Sequence, residues 1–226
     1  MAAINKMPRL KTLMDTYDVW SSFYDEFENP LIPIEEMSVR SLLQTIAFEN
    51  VLDAGTGTGR HAIYLAQQGK RVSAIDFNEK MLSKAKEKAS NEGLTIDFRL
   101  EDLSGLSFSD NTFDLVICAL ALAHLEILAT PLKEFIRVLH PGGNLIITDL
   151  HPFVQNKLGP EHRWELIEGQ EPVLFPNYHS SVDDYLTALT LVGYKTLAVL
   201  DIPMKLKDEL FPGALLLWAM KPSEYH

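Results

Sequence analysis

The sequence has only one cysteine, Cys118, among its 226 residues. A disulfide within the chain and a metal site built from several thiolates are therefore excluded. Cys118 stands inside the apolar run DLVICALAL, where a buried structural thiol is expected. Long hydrophobic runs are also missing, since no apolar stretch reaches the ~18–20 residues of a membrane span. The polar start MAAINKMPRLK has no signal-peptide core, so we expect a cytoplasmic protein without a membrane partner.

Positive charge is scarce, with 20 Lys and Arg against 31 Asp and Glu and a net charge of −11. Nucleic-acid binding normally uses clustered Lys and Arg to neutralise phosphates, so we expect no nucleic-acid partner. In the one lysine-rich segment, residues 80–88, the lysines alternate with Glu79 and Glu87 at helical spacing. We interpret this segment as a solvent-facing side of a helix.

The most informative segment is VLDAGTGTG at 51–59, an apolar run followed by Asp53 and a glycine-rich turn. A glycine turn between a strand and a helix lets a ligand approach the backbone closely, because glycine has no Cβ and tolerates positive φ. The spacing differs from the dinucleotide fingerprint G-x-G-x-x-G. The third glycine comes one residue early, and Arg60 stands in place of the last glycine. An acid two residues before the first glycine suits a cationic amine better than a pyrophosphate.

Four further strand patterns follow in order. RVSAIDFNEKML at 71–82 predicts a strand that ends at Asp76 and leads into a helix, and IDFRLEDLSGLSF at 96–108 predicts a third strand. NTFDLVICALALAHL at 111–125 and VLHPGGNLIITDLHP at 138–152 predict the fourth and fifth. Strands that alternate with helices favour a parallel sheet with right-handed crossovers.

Together these five segments resemble the class I S-adenosylmethionine-dependent methyltransferases of the small-molecule type, including their F-D-x-V and L-x-P-G-G signatures. The resemblance is strong over about residues 48–150. It implies an α/β, Rossmann-like fold: a seven-stranded, mostly parallel sheet sandwiched by helices, with an antiparallel last strand. It also implies S-adenosyl-L-methionine as cofactor and S-adenosyl-L-homocysteine as product.

In that family the glycine loop underlies the methionine and ribose parts of the cofactor. The resemblance implies that Asp53 holds the ammonium group, often through water, and that Asp76 accepts hydrogen bonds from the ribose diol. An acid after the third strand accepts from the adenine amino group. The implied cofactor-binding residues are Tyr24, Asp53, Gly55, Thr56, Gly57, Gly59, Asp76, Phe77, Met81, Glu101, Asp102, Leu103 and Ala119.

We expect one domain, 1–226, in four parts: an N-terminal helical cap (1–47), a cofactor-binding core (48–150), a substrate lid (151–180), and a C-terminal helix and strand hairpin (181–226). Apolar and aromatic residues at steps of three and four predict a helix within residues 8–28. Pro30 and Pro33 are expected to end it, and a second helix is expected at about 34–47. The C-terminal part predicts a helix at 181–192 and strands at 194–203 and 213–221.

The segment 151–180 is far longer than a plain connection of ~2–6 residues. It is aromatic-rich and leaves from the carboxyl end of the fifth strand, where ligands bind in open α/β sheets. We interpret it as a lid over the substrate, helped by the N-terminal helix. The alternative is a surface excursion that touches no ligand. Substrate contacts are predicted for Tyr17, Trp20, Phe153 and Tyr178.

Methyl transfer from a sulfonium is an in-line displacement, which needs alignment of the reacting atoms and exclusion of water. A hydroxyl or ammonium acceptor must also lose a proton, and histidine is the natural base near neutral pH. We predict His124, His151 or His179 as this base. Each also has a purely structural interpretation, as a helix-start, loop or pre-cap residue. His61 is expected to face the exterior of its helix.

These features favour methylation of an O or N atom of a small-molecule substrate, with no metal involved. One alternative is a methyltransferase that acts on a protein or peptide. Another is a non-catalytic S-adenosylmethionine-binding module. A nicotinamide-dependent reductase is disfavoured by the glycine spacing and by the lack of a Tyr-x-x-x-Lys pair. The sequence indicates neither the acceptor nor the oligomeric state.

Overall fold

The computed structural model describes residues 13–27, 29–158, 163–164, 173–174, 178, 181–206 and 208–223. The helices are α1 (Leu13–Trp20), α2 (Leu31–Leu43), α3 (Arg60–Gln67), α4 (Glu79–Asn91), α5 (Ala129–Val138), α6 (Pro152–Leu158) and α7 (Val182–Val192). The strands are β1 (Asn50–Ala54), β2 (Arg71–Asp76), β3 (Asp97–Leu100), β4 (Phe113–Ala119), β5 (Leu139–Leu150), β6 (Arg163–Trp164), β7 (Val173–Leu174), β8 (Lys195–Leu206) and β9 (Glu209–Met220).

Seven of these strands form one sheet in the order β3-β2-β1-β4-β5-β9-β8. The pairs from β3 to β5 are parallel, whereas β9 runs antiparallel to both β5 and β8. The predicted Rossmann-like sheet with an antiparallel last strand is therefore confirmed. The strand order reverses between β1 and β4, and ligands of open α/β sheets bind at the carboxyl ends of the strands at such a switch point.

The central strands are mostly apolar and buried because helices cover both faces of the sheet. Leu52 and Val116 belong to a core that includes Phe135 of α5 and Tyr185 of α7. Val51, Leu115 and Ile117 belong to a second core on the other face, with residues of α2 and α3. Cys118 is fully buried in β4, as predicted.

The N-terminal helices differ from the prediction. The helix expected within 8–28 is observed as α1 followed by turns at 21–26, while residues 1–12 lie outside the described part. Pro30 and Pro33 were expected to end a helix, but Pro30 is the N-cap of α2 and Pro33 lies in its first turn. That expectation was wrong because the first turn of a helix has no partner for its N–H groups, so proline is tolerated there.

The C-terminal elements follow the prediction closely. Helix α7 begins after a capping box formed by Ser181 and Asp184, and it ends at Gly193, whose φ is 101°. Strands β8 and β9 correspond to the two expected strands, although β9 starts at Glu209 rather than at 213. In the segment 151–180 the described residues comprise α6, the antiparallel pair β6 and β7, and Tyr178. No helix among the described residues has both the length and the apolar character needed to cross a membrane.

Candidate functional site

The glycine loop lies between β1 and α3, with φ angles of 78°, 55° and 88° at Gly55, Gly57 and Gly59. The backbone N–H groups of Gly55 and Thr56 donate to the carbonyl of Ile75 over 2.9 and 2.8 Å, which joins the loop to β2. Space is restricted as well, since a Cβ added at Gly55 would lie 2.9 Å from the Cβ of Ala121. Glycine is therefore required at Gly55 by both backbone conformation and packing.

This loop forms the floor of a cleft. The empty volume of the cleft is about 1000 Å³, including the solvent-filled space at its opening. All of the predicted cofactor-binding residues except Gly59 and Glu101 line it, and so do Tyr17 and His124. Sequence reasoning missed the remaining lining residues, which are Leu13, Thr58, Arg60, His61, Leu120, Ala121 and Leu125.

Asp53 is buried near the end of β1, and its carboxylate accepts hydrogen bonds that hold the glycine loop in place. One oxygen of its carboxylate accepts from the hydroxyl of Thr56 over 2.6 Å and from the backbone N–H of Ala62 over 3.0 Å. Burial raises the pKa of Asp53 above its usual value. The carboxylate thus fixes the first turn of α3 while its other oxygen is left for a ligand.

Asp76, at the end of β2, is the second buried acid of the cleft. Its two oxygens accept from the backbone N–H groups of Gly57 and Asn78 over 2.7 and 2.8 Å. The Asn78 side chain in turn caps α4 by accepting from the N–H of Met81. Burial raises the pKa of Asp76 to about 6. Each carboxylate oxygen keeps a further lone pair, so both can also accept hydroxyl groups of a ligand.

Two adjacent acids follow β3, and only Asp102 lines the cleft. Glu101 accepts instead from the backbone N–H of Ser107 over 3.1 Å and from the hydroxyl of the same residue. Gly59 likewise packs away from the cleft, where an added Cβ would lie 2.9 Å from the Cβ of Ala85. Of the predicted pair, Asp102 is the acid positioned to meet a ligand.

Aromatic side chains of the N-terminal segment form one wall. Tyr17 and Tyr24 line the cleft, and the Tyr17 ring meets Phe77 and His124 edge-on at centroid distances of 5.8 and 5.9 Å. Burial raises the pKa of Tyr17 well above its ordinary value. Trp20, predicted to touch substrate, packs against both tyrosines and is not among the lining residues.

The turn after β4 also contributes to the lining of the cleft. Leu120 has a φ of 56°, a strained value for a residue with a branched side chain. The turn residues Leu122–His124 follow, and they bring His124 to the cleft. The backbone N–H of Ala123 donates to Asp149 over 2.7 Å, and the N–H of Tyr178 donates to the carbonyl of Ala123 over 2.9 Å. The turn is thus held from both sides.

The other predicted bases have different surroundings. His151 is not among the cleft-lining residues; its Nδ1 accepts from the N–H of Phe153 over 3.0 Å, and its Nε2 lies 3.1 Å from Asp201. Phe153 is 46% exposed and its ring faces Phe211. Tyr178 is 52% exposed and touches the site through its backbone. His179 lies outside the described residues.

A buried charge cluster below the cleft was not foreseen. Glu35 of α2 is fully buried and pairs with Arg60. It also lies 3.3 Å from Nε2 of His61 and accepts from the hydroxyl of Thr148 over 2.7 Å. The expectation that His61 faces the exterior was wrong, since it is only 2% exposed. In the sequence Glu35 looks like an ordinary solvent-facing helical acid, because its partners lie on distant segments.

The lysine-rich side of α4 does not simply face solvent. Lys80 pairs with Asp18 over 2.9 Å, and Lys88 pairs with Asp25 over 3.0 Å. Lys84 donates to the carbonyl oxygen of Ser22 over 3.1 Å. The predicted solvent-facing side is thus present, with Lys80 59% exposed, but its lysines also fasten residues 18–25, which carry part of the aromatic wall, onto α4.

Comparisons with known proteins agree with this geometry. Residues 52–147 match the family model described as a methyltransferase domain. The chain is 38% identical over 106 residues to a demethylmenaquinone methyltransferase of Bacteroides fragilis, which covers 45% of this chain and 43% of the relative. The chain thus matches less than half the length of that curated relative.

Two solved structures share the fold. A SAM-dependent methyltransferase from Methanosarcina mazei superposes with a TM-score of 0.68 at 21% identity, covering 81% of this chain and 97% of that one. The [4+2]-cyclase SpnF superposes with a TM-score of 0.72 at 18% identity, covering 99% of this chain and 100% of that one. At such identities the likeness establishes the architecture only.

Proposed function

We propose that this chain, which belongs to the class I S-adenosylmethionine-dependent methyltransferases, transfers a methyl group from S-adenosylmethionine to an O or N atom of a small-molecule acceptor. The observation that carries the proposal is a single cleft in which three acids and a glycine floor meet an aromatic wall and a histidine. Residues 52–147 of the chain match the methyltransferase domain. The similarity to a demethylmenaquinone methyltransferase supports a small-molecule acceptor.

The polar groups of the cleft fit the cofactor. Asp76 has the lone pairs needed for a ribose diol, Asp102 can accept from an adenine amino group, and Asp53 suits an ammonium group. The glycine floor allows close approach, because a side chain at Gly55 would fill the space against Ala121. When bound, S-adenosylmethionine supplies an electrophilic methyl group on a sulfonium. The face of an aromatic wall residue such as Tyr17 would attract that cation.

Part of the cleft lining is apolar, and we assign this part to the acceptor. Leu13, Leu120 and Leu125 line it together with Tyr17 and His124. Such a lining favours a partly hydrophobic molecule that carries one reactive polar atom. Tyr17 and Tyr24 of the N-terminal segment also line the cleft, which would help to exclude water that competes with the acceptor.

His124 is our choice for the base that removes the acceptor's proton. Its ring lines the cleft beside Tyr17. Tyr17 is a poor base at neutral pH, because its phenol stays protonated when burial raises its pKa. In His151 both ring nitrogens are engaged by Phe153 and Asp201. Of the two predicted bases that the structure describes, His124 is therefore the one we propose.

A labelled-methyl assay tests this function. The chain is incubated with methyl-labelled S-adenosylmethionine, a panel of hydroxyl- and amine-bearing small molecules, and demethylmenaquinone reduced to its quinol, which has two hydroxyl groups. Mass spectrometry then locates the label. We expect the label on oxygen or nitrogen of a partly apolar acceptor. Label found only on carbon, only on proteins or peptides, or on no acceptor despite cofactor binding contradicts the proposal. The last outcome favours a non-catalytic binding module.

A further inference from the structure

We propose that Arg60 binds the carboxylate of the cofactor's methionine moiety and so selects ligands that carry an intact amino-acid end. This inference rests on the function proposed above. The first step concerns charge. Asp53, Asp76 and Asp102 line the cleft, and Arg60 is the one Lys or Arg among its described lining residues. A ligand that presents a carboxylate to three acids needs a cation close by, since an unpaired charge in a closed cleft is costly.

The second step concerns position. Arg60 is the first residue of α3, directly after the glycine floor, so its side chain starts where the methionine end of the cofactor would lie. Its side chain is 15% exposed and reaches the cleft lining. The helix N-terminus adds a favourable field for an anion at the same place.

The third step concerns the donors that remain. Guanidinium has five N–H donors in a fixed fork. Among the described residues, the hydrogen bond of Arg60 is made by Nη1 to Glu35, and the same nitrogen lies 3.8 Å from Glu36. Nε and Nη2 are therefore available for a carboxylate. The pair with Glu35 uses one edge of the group and leaves the other for the ligand.

The fourth step concerns Glu35, which makes this orientation rigid. Burial alone opposes its ionisation, but Arg60 and His61 hold the pKa of Glu35 well below its usual range. It remains a carboxylate and accepts from Thr148 as well. A fully buried, fully partnered counter-ion fixes one end of the guanidinium, and a preorganised donor loses little entropy when it binds an anion.

Titration calorimetry with two ligands tests the inference. S-adenosylmethionine and its decarboxylated form differ only in the carboxylate. We expect the wild-type chain to bind the carboxylated ligand at least tenfold more tightly. In Arg60→Gln that affinity should fall at least tenfold, while the affinity for the decarboxylated ligand should change less than threefold. The matched control is Arg40→Gln, because Arg40 pairs with Glu36 on α2 and does not line the cleft.

A double variant guards against misfolding, because Arg60→Gln leaves the buried Glu35 carboxylate without its guanidinium partner. Arg60→Gln/Glu35→Gln removes both charges and should show the same loss of preference. Equal weakening of both ligands, or an unchanged preference, overturns the assignment of Arg60 while the proposed function stands. A wild-type chain that binds neither ligand instead contradicts the proposed function itself.

Discussion

Asp149 accepts a hydrogen bond of 2.7 Å from the backbone N–H of Ala123, so the end of β5 fixes the turn that carries His124. The same carboxylate oxygen accepts from the hydroxyl of Tyr185 over 2.9 Å, and its neighbour accepts from the N–H of Leu150. Asp149 is only 2% exposed. It therefore acts as a positioning residue for His124 and does not itself line the cleft.

Replacement of Asp149 by Asn tests this relationship. The amide has one acceptor oxygen in place of two, so its NH2 group must face a donor: either the N–H of Leu150, or the N–H of Ala123 together with the hydroxyl of Tyr185. Either arrangement loosens the end of β5 and the His124 turn. We expect turnover to fall about tenfold, with cofactor affinity unchanged and a loss of unfolding free energy of ~1–3 kcal/mol. Asp201→Asn is the control, because Asp201 is exposed and meets His151. Wild-type turnover in Asp149→Asn would exclude the positioning role.

The pKa of Asp76 makes cofactor affinity depend on pH. Burial raises this pKa to about 6 in the free protein, and only the carboxylate can accept from both ribose hydroxyls. Affinity should therefore rise as the pH increases from 5 to 7 and then level off. Asp76→Asn should flatten this dependence and leave only the contribution of Asp53, whose pKa burial also raises. Asp76→Ala should weaken binding at least tenfold, a loss of roughly 2–4 kcal/mol.

The control for Asp76 is Asp97→Ala on β3, which removes an exposed acid that pairs with Arg99. It should bind the cofactor as the wild type does. Should Asp76→Ala keep wild-type affinity and lose only thermal stability, Asp76 is a structural residue and the ribose assignment is wrong.

His124→Gln tests the base. Turnover should fall by roughly 10²–10⁴, whereas cofactor affinity should stay within twofold because other residues bind the cofactor. His151→Gln is the matched control and should retain most activity. An enzyme that keeps more than a third of its rate in His124→Gln does not use this base.

The fastening of residues 18–25 should govern how quickly the cofactor leaves. Asp25 accepts from the hydroxyl of Thr58 over 2.6 Å and pairs with Lys88 over 3.0 Å, so it links the segment to the glycine loop and to α4. Both charged groups are partly exposed, and such pairs contribute only ~0.2–1 kcal/mol. Asp25→Asn should therefore speed dissociation two- to fivefold in stopped flow, and added salt should have a similar effect on the wild type.

Lys86→Ala is the control for this prediction, since Lys86 is an exposed residue of the same helix. Its cofactor should leave at the wild-type rate. Equal dissociation rates in Asp25→Asn and in the wild type would mean that the segment does not limit release.

The parts of the molecule that were predicted from sequence are those set by local pattern. The apolar run before Asp53 and the glycines after it define a strand, a turn and a helix within ten residues of one another. Asp76 was predicted in the same way, as the acid at the end of the apolar strand β2 and before the helix α4. Periodicity and turn chemistry are short-range signals, and here they agree with the tertiary fold.

The parts that were missed depend on long-range packing. Burial of Glu35 requires Arg60 and Thr148, which lie 25 and 113 residues away in sequence. Lys88 forms an ion pair with Asp25, which lies 63 residues away in sequence. Charged residues at helical spacing are usually solvated, so only the fold reveals that these pair. The prediction that Pro33 ends a helix also failed. Proline occurs both after the end of a helix and in its first turn, and the local sequence did not distinguish these two positions.

Binding of S-adenosyl-L-homocysteine by the purified chain, compared with NAD under the same conditions, tests the central claim most directly. Titration calorimetry should show one site for S-adenosyl-L-homocysteine, at least tenfold weaker in Asp76→Ala and unaffected in Asp97→Ala. NAD should give no comparable heat, because Arg60 stands where a dinucleotide loop needs its last glycine. A chain that prefers NAD, or that binds neither ligand while remaining folded, would contradict the assignment of this cleft to S-adenosylmethionine.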